Sequence, residues 1–85
     1  MPHYIVEHEY QSPLTDERHS EEGARADPCL AQYGVTWHAS YLATDRLKML
    51  CEFEADSMEH IRDALRSADV PFARVWPALK YTPSR

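Results

Sequence analysis

Glu7, His38 and Glu52 are the residues whose types and spacing point to chemistry in this chain. One imidazole and two carboxylates suit a borderline divalent cation such as nickel or zinc. His38 with Glu52 also has the makings of a general base and its orienting partner, tuned by burial. These three residues sit far apart in the chain. There is no HExxH run, no glycine-rich phosphate loop and no GxSxG elbow. Only folded elements can bring them together.

The elements read as follows. His3 to Tyr10 alternates, with Tyr4, Val6, His8 and Tyr10 on one side and His3, Ile5, Glu7 and Glu9 on the other. That is a strand, and Ser12-Pro13 ends it. Thr15 to about Tyr33 predicts a helix, with Thr15 as N-cap, Asp16 and Glu17 in the first turn, and Gly34 just past the end. Pro28 inside it predicts a kink or break. Val35 to Ala43 and Leu47 to Ala55 alternate again around the turn Thr44-Asp45-Arg46, which predicts a hairpin. Asp56, with Glu59 three positions on, reads as the cap of a second helix. That helix carries Met58, Ile61, Leu65 and Ala68 at helical spacing and stops at Val70-Pro71. Arg74 to Tyr81 is the last strand, and Pro77 assigns it to an edge.

The order is strand–helix–strand–strand–helix–strand within 85 residues, which means one domain. It predicts an α+β, ferredoxin-like βαββαβ fold with a four-stranded antiparallel sheet and the first and third strands central. Helices cover one face. Ile5, Leu50 and Trp76 fall on the other, so a homodimer of the dimeric α+β barrel type, packed sheet to sheet, is expected. With the turn at residues 44–46, His38 faces Glu52 and Trp37 faces Phe53 across the hairpin. Glu7 has the same parity in the first strand. Strands lie about 4.8 Å apart, so Glu7, Glu52 and His38 form one row, with Ser40 and Trp76 nearby. Cross-strand polar pairing on a wet sheet face accounts for the same three residues without any ligand.

The remaining polar residues read more plainly. His8 shares a face with Tyr4, Val6 and Tyr10 and reads as a hydrogen-bonded core histidine; with the strand parity reversed it becomes the site residue. His3 and His19 read as solvent-exposed, and His60 as lying on the outer face of the second helix. Cys51 reads as a buried inert thiol, and Cys29, after Pro28, as more exposed. Trp37, Tyr41 and Phe53 read as core, and Glu21-Glu22 as a solvated helix face.

The net charge is −5, from 14 acidic and 9 basic residues. Nucleic-acid and anionic-membrane binding need clustered Lys and Arg, so both are excluded as partners. No apolar run has membrane-spanning length and no signal peptide is visible. A cytoplasmic protein with two free thiols is expected.

Several short motifs carry a family resemblance over nearly the whole chain. They are Met1-Pro2-x-Tyr4-x-Val6-Glu7, Trp37-x-x-Ser40-Tyr41 and Cys51-x-Phe53-x-Ala55, then Ile61-Arg62 and Val70-Pro71-x-x-Arg74-Val75. Together they resemble a family of small bacterial ferredoxin-like proteins, mostly of unknown function, that includes a nickel-binding protein. The resemblance implies a homodimer and a nickel-binding role, with no established catalysis. Glu7, Ser40, Tyr41 and Cys51 match the family pattern. Two positions depart from it: Ala64 follows Arg62-Asp63 where a histidine is frequent, and Ala39 stands directly before Ser40-Tyr41 where another is frequent.

Three functional expectations follow. The first is a dimeric metal-binding protein with Glu7, His38 and Glu52 as ligands. The second is a cofactor-free enzyme, of monooxygenase, cyclase or isomerase type. In it His38 and Glu52 act on a small organic molecule in a cavity edged by Trp76. The third is a purely structural dimer.

Overall fold

The computed structural model describes residues 1–84. The elements are β1 (His3–Glu9), α1 (Asp16–Gln32), β2 (Thr36–Leu42), β3 (Lys48–Glu54), α2 (Met58–Ser67) and β4 (Arg74–Ala78). The strands form one antiparallel sheet in the order β2-β3-β1-β4. The fold is thus the ferredoxin-like one expected, with β2 and β4 as edges and Pro77 in an edge strand.

The core lies between the helices and one face of the sheet. Its sheet side is Tyr4, Val6, Met49, Cys51, Phe53 and Val75. From α2 come Ile61, Ala64 and Leu65, at the three- and four-residue spacing that puts them on one helix face. From α1 only Leu30 and Glu22 are buried, which matches the weak apolar stripe of that helix. Leu14, in the loop between β1 and α1, is 0% exposed. Its N–H donates to the Arg46 carbonyl at 2.9 Å, and its own carbonyl accepts from Arg46 Nη1 at 2.8 Å. Arg25 on α1 donates to the Ala68 and Asp69 carbonyls, at 2.9 and 3.1 Å, and so caps the C-terminus of α2.

Some details differ from the sequence expectation. α1 runs unbroken through Pro28. Pro28 is on the exposed side, where the carbonyl it leaves without a partner faces water. Helix α2 begins one residue later than expected. Ser57, not Asp56, is the N-cap, and its hydroxyl accepts from the His60 N–H at 3.3 Å. β4 ends at Ala78 rather than Tyr81. Thr15 caps α1 as expected, accepting from Arg18 N–H, and Gly34 follows that helix with φ +68°. Glu22 is buried rather than solvated, and Arg18 Nε donates to it at 3.0 Å.

The largest difference is in β2. The pairing of β2 with β3 is Trp37 to Phe53 and then Ala39 to Glu52, so His38 is the extra residue of a β-bulge. A bulge shifts the side-chain alternation by one. Beyond it Ser40 and Leu42 turn toward the core, opposite Cys51 and Met49, while Ala39 and Tyr41 turn outward, opposite Glu52 and Leu50. Tyr41 is therefore 70% exposed and Trp37, at the sheet edge, 48% exposed; neither is core. Phe53 is core as expected.

Candidate functional site

The register fixes what can meet on the helix-free face. Thr36, Glu54, His3 and Ala78 form one row across the four strands, Ala39, Glu52, Ile5 and Trp76 the next, and Tyr41, Leu50, Glu7 and Arg74 a third. The bulge pushes the His38 side chain back onto the first row. Its Nε2 lies 2.7 Å from Glu54 Oε1. On the other side of Glu54, His3 Nε2 lies 3.6 Å from the same oxygen, and His3 Nδ1 lies 3.7 Å from Glu52 Oε2. The two imidazole rings are 5.6 Å apart, centroid to centroid.

One donor atom each from His3, His38 and Glu54 lie within 4.8 Å of one another. The Met1 amino group is 3.4 Å from Glu54 Oε2. Hydrogen bonding from His38 first, and from the amino terminus second, holds the Glu54 carboxyl below the usual carboxylate range. A carboxylate that stays charged beside two imidazoles is a set that a divalent cation can use. Metal–nitrogen bonds are about 2.1 Å, so donors around one ion sit roughly 3–4 Å apart. The observed separations fall close to that range.

The three residues singled out in the sequence are divided by this geometry. His38 is in the cluster. Glu52 is at its border, bound by Lys80 Nζ at 3.1 Å and facing Ala39 rather than His38. Glu7 is apart from it. Four residues along β1 separate Glu7 from His3, about 13 Å at 3.3 Å per residue. Glu7 accepts from the Trp76 indole N–H at 2.6 Å and pairs with Arg74 at 3.2 Å. Ser40 points to the other face, where Trp37 Nε1 donates to its hydroxyl and the hydroxyl donates to Cys51 Sγ at 3.0 Å.

Sequence reasoning missed His3 and Glu54. Both have the outward parity of Glu7 and Glu52, and the hairpin pairing alone would have brought Glu54 close to His38. A place near the chain start reads as plain solvent exposure for His3, but its side chain is 26% exposed and lies beside two carboxylates.

Fold and site together define a small ferredoxin-like α+β domain with a histidine–carboxylate cluster on its open sheet face. The chain belongs to the nickel responsive protein SCO4226-like family, whose sequence profile it matches over residues 4–77. Among solved structures it is similar to SCO4226 from Streptomyces coelicolor A3(2), with a TM-score of 0.83 and 11% identity over 94% of this chain and 99% of that one. At that identity the likeness is one of fold. No curated protein matches the chain. Among the described residues, no helix is long and apolar enough to cross a membrane.

Proposed function

We propose that this chain is a homodimeric, cytoplasmic metal-binding protein that takes up a divalent ion, nickel first among candidates. His3, His38 and Glu54 are the principal donors and Glu52 stands beside them. The observation that carries the reading is the convergence of two imidazoles and a carboxylate within 4.8 Å, on elements from three parts of the chain. The family's designation as nickel responsive favours that metal over other borderline ions. Imidazole donors suit nickel, copper and zinc alike. Glu7, committed to Trp76 and Arg74, is left out of the donor set.

Support for the dimer comes from the same face. Leu50 and Trp76 are 38% and 39% exposed, with Tyr41 and Ile5 beside them. Apolar surface of this kind marks association sites. The cysteines, Cys29 and Cys51, are unpaired, which suits a reducing compartment.

The enzyme reading draws less support. Neither His38 nor Glu52 lines the pocket between sheet and helices.

Native mass spectrometry before and after nickel addition tests the proposal. A dimer that takes up nickel in integral stoichiometry, with uptake lost in His38→Ala and Glu54→Gln but kept in Glu7→Gln, supports it. Monomer at micromolar concentration refutes the assembly. Equal uptake by wild type and both cluster variants refutes the site.

A further inference from the structure

The face of the sheet that carries the helices holds a second feature, unrelated to the metal cluster. A pocket of about 60 Å³ opens between α1 and the inner face of β2 and β3. Its walls are apolar: Leu30, Met49, Phe53 and Leu65 line it, with Trp37 at its edge. One water needs roughly 10–15 Å³ on this measure, so the space is larger than one water, and it is open to solvent rather than enclosed.

Polar residues line it too, His8, His19, Glu22, Asp27 and Ser40, and His8 is the most deeply buried of them. His8 is 3% exposed, on a strand face whose other inward residues, Tyr4 and Val6, are core. Its Nδ1 donates to the Pro71 carbonyl at 2.9 Å. That bond fixes the tautomer and leaves Nε2 as an acceptor. Nε2 has no hydrogen-bond partner among the described residues. His8 lines the pocket, and Nε2 is the ring nitrogen left for an occupant. Burial lowers the His8 pKa, which keeps the ring neutral and Nε2 free to accept.

The helix side is open. Gly23 lines the pocket from the middle of α1, and a Cβ added there meets nothing within 4 Å. Glycine in a helix interior is unfavourable relative to alanine. Glu22 and Asp27 also border the pocket, which disfavours an anion.

We propose that this pocket is a binding site for a neutral, flat, one-ring molecule with a single O–H or N–H donor, of the phenol type, whose donor bonds to His8 Nε2. The ring lies between Phe53, Leu30 and Met49. The site is independent of the metal reading and stands whether or not nickel binds.

Titration with phenol, followed by amide chemical shifts around His8 and Leu30, tests it. Toluene serves as the ring without a donor and benzoate as the anion. The expected dissociation constant for phenol is about 1 mM, the range of fragment-sized ligands. Toluene should bind about fivefold weaker, having lost one hydrogen bond, and benzoate should not bind. Gly23→Leu should weaken phenol binding at least about tenfold by filling the space. Leucine is the better helix former, so circular dichroism should show this variant folded. Shifts that fail to saturate by about 10 mM phenol overturn the proposal. So does a folded Gly23→Leu that binds phenol as wild type does, or toluene binding as tightly as phenol.

Discussion

Replacing Leu14 by alanine should unfold this protein more readily than any feature of its sequence suggests. Leu14 lies in a loop, but it is 0% exposed and packed into the main core. The substitution removes three carbons, worth about 2.4 kcal/mol at roughly 0.8 kcal/mol each. The cavity left behind adds to this, and buried Leu→Ala changes cost about 2–5 kcal/mol in all. For 85 residues the whole stability is about 4–13 kcal/mol. A loss of about 3 kcal/mol is thus a quarter to three quarters of it, and lowers Tm by roughly 12–24 °C. Thermal melts followed by circular dichroism, at one fixed protein concentration, measure this. Leu79→Ala is the control, because Leu79 is 83% exposed. A Leu14→Ala protein that loses under about 1 kcal/mol refutes the argument that this loop completes the core.

Stability should also depend on His8. Its pKa is lowered in the folded state from an ordinary 6.5, chiefly by burial. The unfolded chain therefore takes up the proton first. The stabilisation is fully present above pH 6.5 and drains away as pH falls from there through the lower folded value. Melts between about pH 7.5 and 5 should show this decline, and His8→Gln should flatten it. A thiol reagent should modify Cys29 quickly and Cys51 only on unfolding, since burial pushes the Cys51 thiol pKa up and seals it beneath Ser40. Two fast equivalents would contradict that burial. Ser57→Ala should cost about 1 kcal/mol through loss of the α2 cap, measured by urea titration, while Asp56→Ala should cost much less.

Much of the fold was legible because it rests on short-range rules. Alternation marked β1 and β3 correctly, the spacing of Ile61 and Leu65 marked α2, and Thr15 and Gly34 marked the ends of α1. The position of His8 between Tyr4, Val6 and Tyr10 was enough to assign it to the core, and its burial agrees. Cys51 was legible for the same reason. The topology followed once six elements were in order, since crossover handedness leaves few alternatives.

The site was less legible, and one residue explains most of the difference. A strand pattern of period two holds only while every residue is paired. The extra residue at His38 carries no sequence mark, because a bulge arises from how two strands fit around a twist. It sends His38 to Glu54 rather than Glu52, turns Ser40 inward onto Cys51, and exposes Tyr41. His3 joins the cluster only through its pairing with Glu54, a long-range contact. Leu14 and Glu22 are buried for similar reasons: one by the path of a loop across Arg46, the other by the Arg18 partner that neutralises it. The elements, their order and the faces of the regular strands could be read from the chain, because they depend on neighbours along it. The tertiary structure alone decided which donors converge, because that depends on register across strands, and a single unpaired residue resets it.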